Sequence, residues 1–315
     1  MTQIAPNLSK RQQLEQNSRR AVAVIAWLPP ALILGITLAL FLRSWPILEQ
    51  YPLSELLFGT TWRPMQGQFG FLPFIAGTLW VTAVGILLAV PPCILTAIYL
   101  SEYARPATRA FLKPLLDVLA AIPSVVYGVW GILVIVPFVG DVLRPALSTH
   151  LGWIPLFAAN QPTGYSILSG GIVLAVMIAP FIIAVTYEVL MTAPQDWRLG
   201  SLGLGATRWQ TVRYIVFRQT LPGMIAGVVL GTSRAFGETM AVLMVVGNVP
   251  NLPGSIFDPA YPLPALIANN YGEMMSIPLY DAALLGAALL LLVIVLIFNI
   301  ASTLVLRRML GRSLS

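Results

Sequence analysis

Six long apolar runs leave this chain few ways to fold. They cover roughly residues 21–42, 73–100, 115–139, 167–190, 221–248 and 282–306. Each meets or exceeds the roughly 20 residues that an α-helix needs to cross the hydrocarbon core of a bilayer. No water reaches that core, so backbone N–H and C=O groups must be satisfied within each segment, and helices do this. Composition agrees: 57% of the 315 residues are hydrophobic and 10% charged, against about 45–50% and about 25% in soluble domains. The expected fold class is an all-α polytopic membrane protein with six transmembrane helices. The first run is too long for a cleavable signal, follows a polar arm and lacks a small-residue cleavage site. The chain divides into an N-terminal arm (1–20), a six-helix domain (21–310) and a short tail (311–315). Within the domain lie two long loops, 191–220 and 249–280. The second carries Pro250, Pro253, Pro259, Pro262 and Pro264, which predicts a rigid, non-helical start.

The same residues exclude several chemistries. A single cysteine, Cys93, rules out a disulfide within the chain, and a single histidine, His150, rules out a paired-His metal site from this chain alone. A P-loop needs Gly-Lys-Ser/Thr, and the two lysines, Lys10 and Lys113, follow Ser9 and Leu112. No nucleophile stands with a base, so no catalytic residue, metal or cofactor is expected. Basic residues set the orientation. With six spans, fourteen of the eighteen Lys and Arg fall on the side of the two termini and three on the other. Cytoplasmic loops carry such an excess, so both termini are expected in the cytoplasm. The charges flank span ends instead of forming one basic domain, which argues against nucleic acid as a partner.

The remaining cation, Arg234, falls near the centre of the fifth run, with Glu238 four residues on. On a continuous helix both would project from one face. A charge at mid-membrane costs about 2.5–3.5 kcal/mol on insertion scales, and such residues face protein or water and mark transport paths. The alternative is a structural ion pair that neutralises itself, although burial makes such pairs weak stabilisers. A guanidinium offers a planar fork to a tetrahedral oxyanion. Hydrogen phosphate still carries a proton that a carboxylate can accept; sulfate carries none. Arg234 beside Glu238 therefore favours phosphate, as a hypothesis. Gly227, Gly231, Thr232, Ser233, Gly237 and Thr239 surround the pair and leave room for close packing or for a solute.

The loop 191–220 predicts a short helix capped by Thr192 or Asp196, with Pro194 near its first turn and Gly205 as a left-handed end. A second helix is expected from Thr207 into the fifth span, broken at Pro222. Exposed Leu199, Leu202 and Trp209 suit either docking into a partner's cleft or lying on lipid headgroups.

Three stretches carry a family resemblance. The loop just described resembles the coupling signature of permease subunits of binding-protein-dependent ABC importers, with Ser201 and Gly205 in register. It departs from that pattern at Leu199-Gly200 and at Phe217-Arg218. The stretch Ala120-Ala121-Ile122-Pro123-Ser124-Val125-Val126-Tyr127-Gly128 is similar to the third span of phosphate permeases. Most specific is Ser233-Arg234-Ala235-Phe236-Gly237-Glu238-Thr239-Met240-Ala241-Val242, which resembles the PstC family over its PstA sister family. The resemblance spans roughly residues 20–310. It implies a type I importer-like fold and a heterodimer with a PstA-like permease. It further implies two PstB-like ATP-binding subunits beneath and a PstS-like phosphate-binding protein outside. It also implies substrate contacts at Arg234, Glu238, Thr239, Ser124 and Tyr127, and ATPase contacts through Leu199, Ser201, Leu202, Gly205, Ala206, Thr207 and Trp209. A sulfate or molybdate permease of the same superfamily is the nearest rival; a stand-alone secondary transporter or anion channel is the rival from another class.

Overall fold

The computed structural model describes residues 6–158, 163–273, 277 and 279–313; the ends of the N-terminal arm (1–5) and of the tail (314–315) lie outside them. Among the described residues six helices are long and apolar enough to cross a membrane: Glu15–Gln50, Leu72–Tyr103, Ser124–Leu151, Ile167–Met191, Arg208–Phe236 and Tyr280–Arg308. The second, fourth and sixth fall where the apolar runs place them. The first belongs to one helix that starts at Pro6 and absorbs most of the expected arm.

Two spans differ from expectation. The third run is divided. One helix, Pro106–Ala121, ends before Ile122 and Pro123, both extended, and the span begins at Ser124 and runs to Leu151. Proline crowds the residue before it out of the helical region, so Ile122 opens and the helix restarts. The fifth span is displaced the other way. It begins at Arg208, passes unbroken through Pro222 and stops at Phe236. Its irregularity is a π-helical turn over Val212–Val216 instead of a break at Pro222. After Gly237 come two non-helical residues and a short helix, Met240–Val245.

The fourth span is the hub. Some 72% of its most apolar window is buried, against 0% for the first span and 17% for the sixth, and its most extensive packing is against the second. That contact requires glycine. A Cβ on Gly171 would lie 2.4 Å from Val84 Cγ1, and one on Gly85 would lie 2.9 Å from Leu174 Cδ2. The fifth span approaches the fourth in the same way, with Gly223 against Val189, Gly227 against Val185 and Gly231 against Ile182. Gly227 and Gly231 thus serve packing. Association inside a bilayer gains little from the hydrophobic effect, so close van der Waals fit carries it. Leu174, Ile178, Ile182 and Leu190 form the centre of this core.

At the end of the bundle away from the basic loops a second apolar cluster forms. Trp62 packs on Phe74 with centroids 5.0 Å apart, above Ile47, Phe71, Leu263 and Tyr280. It belongs to a small antiparallel hairpin, Trp62–Arg63 with Gln68–Phe69, an addition to the expected all-helical content. The proline-rich loop folds back over the bundle. Asp258 O and Ile256 O accept from Ile167 N and Leu168 N at the start of the fourth span, and Thr78 Oγ1 accepts from Leu263 N (2.8 Å).

The close glycine contact sets a test. Gly171→Val should destabilise the protein by about 1–3 kcal/mol, since overpacking forces the neighbours apart. Gly35→Ala, at a position with open space around it, should be neutral. Thermal unfolding in detergent, followed by loss of the monodisperse peak, compares the two.

Candidate functional site

Gly237 decides the geometry of the expected charge pair. Gly237 N bonds back to Arg234 O and Glu238 N to Ala235 O (both 3.2 Å), closing the helix with tight turns. Arg234 therefore occupies the last turn of the fifth span instead of its middle, and Glu238 lies beyond the helix end. The four-residue spacing assumed an unbroken helix; with the break, the two do not form an ion pair. Ion pairs do form at the basic end of the bundle, Lys113–Glu188 and Arg198–Glu102. The reading as a self-neutralising pair is thereby removed.

Arg234 is exposed on this chain. Its guanidinium carbon lies 6.0 Å from the ring centroid of Phe181 on the fourth span, at the outer limit of a cation–π contact. A cation in the last turn also meets the negative end of the helix dipole, worth about 0.3–1 kcal/mol at an exposed site. Neither interaction cancels a full charge. Glu238 is half-buried beside Thr78, Thr82, Phe236, Pro262 and Pro264. Its Oε1 accepts from Ala241 N (3.0 Å), holding the first turn of the helix Met240–Val245. Thr239 Oγ1 donates to Gly237 O (3.2 Å) across the break.

The two motif stretches meet here. A Cβ on Gly128 would lie 2.5 Å from Met244 Sδ and 3.2 Å from Ala241 Cα, so the start of the third span is locked against the short helix that follows Glu238. Ser124 stands half-buried in the first turn of that span. Tyr127 is buried, and its hydroxyl donates to Leu119 O (2.8 Å), tying the two sides of the Ile122–Pro123 break together. That hydroxyl proton is engaged within the chain, so Tyr127 holds the site's wall in this state. Asn299 was missed from sequence. Its Oδ1 accepts from Ser233 Oγ (2.9 Å), fixing the sixth span beside Arg234. A lone Asn within an apolar run was the available signal.

The basic end carries the second feature. Gln195–Gly203 forms a helix entered through Pro194. Thr192 is not its cap: Thr192 Oγ1 donates to Val189 O (2.7 Å). Asp196 lies in its first turn. Gly205, at φ 85°, ends it. Ala206 N bonds to Ser201 O (3.2 Å) and Gly205 N to Leu202 O (3.0 Å), the paired bonds of a Schellman end. Thr207 opens the next helix in a capping box with Gln210. Leu199, Leu202 and Trp209 are exposed, as expected, joined by Leu204 at 91% exposure. Ser201 is not part of that surface; it is buried, with Oγ 3.0 Å from Thr211 Oγ1. Ala206 is half-buried. Arg198, counted from sequence only as an orienting charge, turns inward to Glu102. At the same end, the hydrogen bond that Lys113 Nζ donates to Glu188 Oε1 (2.6 Å) raises the Lys113 ammonium above its usual range. No three or more His, Cys, Asp or Glu converge among the described residues.

Comparison with known proteins agrees with this architecture. Residues 93–311 match the family described as binding-protein-dependent transport system inner membrane component. The chain is 36% identical over 299 residues to the phosphate transport system permease protein PstC of Haemophilus influenzae, covering 94% of each. It is 36% identical over 293 residues to the PstC of Mesorhizobium japonicum, covering 91% of this chain and 88% of the relative. Among solved structures, a bacterial ABC transporter involved in import of the acidic polysaccharide alginate superposes with a TM-score of 0.56 at 16% identity. That superposition covers 94% of this chain and 99% of the other, a likeness of fold. The chain therefore belongs to the binding-protein-dependent transport system inner membrane component family and, within it, to the PstC permeases.

Proposed function

We propose that this chain forms half of the translocation path of an ATP-driven phosphate importer in the bacterial inner membrane. The observation that carries the reading is Arg234: a guanidinium exposed on a membrane helix, without a carboxylate partner among the described residues, in a chain 36% identical to relatives named for phosphate transport. An unpaired cation in that setting is costly unless something fills its shell. A homologous PstA-like permease, set against the exposed face of the fifth span, closes the path, and a tetrahedral anion completes the charge. Thr239 and Ser124 line the path, and Tyr127 holds its wall. Glu238 Oε1 is engaged by Ala241 N, while Oε2 has no partner among the described residues. It can accept the proton of hydrogen phosphate and meets only repulsion from sulfate. This distinguishes the reading from a sulfate or molybdate permease.

The basic end is cytoplasmic in this reading, with both termini inside. Two PstB-like ATPase subunits dock on the helix Gln195–Gly203 through Leu199, Leu202 and Trp209, while Ser201, Gly205, Ala206 and Thr207 shape that surface. A PstS-like protein delivers phosphate from the opposite side. ATP binding closes the ATPase pair and moves the docked helix. The bundle then opens outward, phosphate reaches Arg234, and hydrolysis resets the cycle. The chain itself performs no covalent chemistry.

Three outcomes follow for the complete transporter in proteoliposomes. Arg234→Lys keeps the charge and loses the fork, so phosphate uptake should fall about 10- to 100-fold with the complex intact, the range of one charge-assisted hydrogen-bond pair; normal uptake would remove Arg234 from the path. Glu238→Gln should narrow the preference for phosphate over sulfate, measured as competing uptake of the two labelled anions; an unchanged ratio refutes the proton-acceptor role. Leu202→Asp combined with Trp209→Asp should release the ATPase subunits on purification; a complex that stays whole and coupled would make this helix a headgroup-lying one.

A further inference from the structure

The helix proposed to receive the ATPase is weakly seated. Ser201 is its buried residue, and Leu199 and Leu204 point outward. Little apolar packing therefore links this helix to the spans, yet any displacement imposed on it must reach them.

One side chain supplies a link. Arg198 leaves the helix and turns into the bundle, 18% exposed. Its Nη2 lies 2.8 Å from both Glu102 Oε1 and Leu190 O, and its Nη1 2.5 Å from Ala193 O. Glu102, 12% exposed, stands in the π-helical turn Tyr99–Tyr103 that ends the second span. Leu190 and Ala193 lie at the end of the fourth. Last-turn carbonyls have no helical partner, and a cation there also meets the negative end of the dipole. A single planar guanidinium thus joins the surface helix to the terminal turns of the two most tightly packed spans. Arg109 reinforces the same point: its Nε and Nη2 donate to Leu100 O (3.0 Å) and Ser101 O (2.9 Å). Ser201 Oγ and Thr211 Oγ1 make a lesser tie to the fifth span.

This differs from an ordinary surface ion pair, which contributes little. Both side chains are largely withdrawn from water, and the acceptors lie in directions that a rigid fork meets and an ammonium does not. Removing one partner would leave the other charge uncompensated.

We propose that Arg198 is a positioning residue that transmits movement of the surface helix to the second and fourth spans through Glu102 and the Leu190 and Ala193 carbonyls. This rests on the reading of that helix as the ATPase-docking element. The Arg198 guanidinium is largely withdrawn from water and taken up by acceptors of this chain, so its loss should spare assembly and impair coupling.

The experiment uses the complete transporter in proteoliposomes with its binding protein, measuring bound ATPase subunits, ATP hydrolysis and phosphate uptake. Arg198→Gln, Arg198→Lys and Glu102→Gln should each keep the ATPase subunits and hydrolyse ATP within about twofold of the parent, while phosphate moved per ATP falls about 10-fold or more, a typical coupling factor. Arg198→Lys keeps the charge and Glu102→Gln keeps the shape, so at least one variant should fold. The double variant Glu102→Gln/Arg198→Gln should be no worse than the poorer single one, because both remove one shared link. Unchanged phosphate per ATP in the singles, losses that multiply in the double, or release of the ATPase subunits by Arg198→Lys would each overturn the proposal. Loss of the docking reading registers elsewhere: ATPase subunits that stay bound to Leu202→Asp/Trp209→Asp, with coupling intact, would remove that reading and this proposal together.

Discussion

Every backbone amide inside a bilayer must find its partner in the protein, and the rest of this structure follows from that requirement. It turns the six apolar runs into helices and makes each interruption conspicuous. Interruptions occur at two places within those runs, at Ile122–Pro123 and at Gly237–Thr239, and the chain satisfies the freed groups locally. Tyr127 bonds Leu119 O across the first break. Glu238 and Thr239 take up Ala241 N and Gly237 O at the second. The breaks are also packed against each other through Gly128. Irregular backbone is tolerated at membrane depth where protein or a cavity surrounds it, so the pairing of two breaks beside Arg234 marks the place where the bundle departs from simple helix packing.

Charge serves different needs at the basic end of the molecule and inside the bundle. At the basic end, Arg109 and Arg198 are engaged by terminal carbonyls and by Glu102. These cations finish helices. Deeper in the bundle, Arg234 has the ring of Phe181, midway along the fourth span, and a helix terminus for company. A guanidinium engaged by several acceptors holds structure together; one without them is the kind proposed above to meet a ligand. The same residue type thus serves two purposes, distinguished by how many acceptors surround it.

Much of this was legible in the primary structure. Span number came from hydropathy alone. The left-handed role of Gly205 and the exposure of Leu199, Leu202 and Trp209 were readable because turn chemistry and short helices are local. What failed was continuity. Hydropathy averages over a window and does not register a proline or a glycine that opens one peptide unit, so the third and fifth spans were misplaced by up to a dozen or so residues and Arg234 was put at mid-helix beside Glu238. The side-chain pairs Arg198–Glu102 and Asn299–Ser233 were invisible for another reason: their members lie 96 and 66 residues apart, and spacing carries no information about such pairs.

The amino-acid sequence by itself determined the solvent, the number of crossings and the family, because transfer free energy and motif identity are carried residue by residue. Only the tertiary structure decided which cations were spent and which stayed free. That depends on whether carbonyls and carboxylates from distant segments converge on a guanidinium. Convergence is a property of how helices pack, with glycines such as Gly171 and Gly128 setting how close they come.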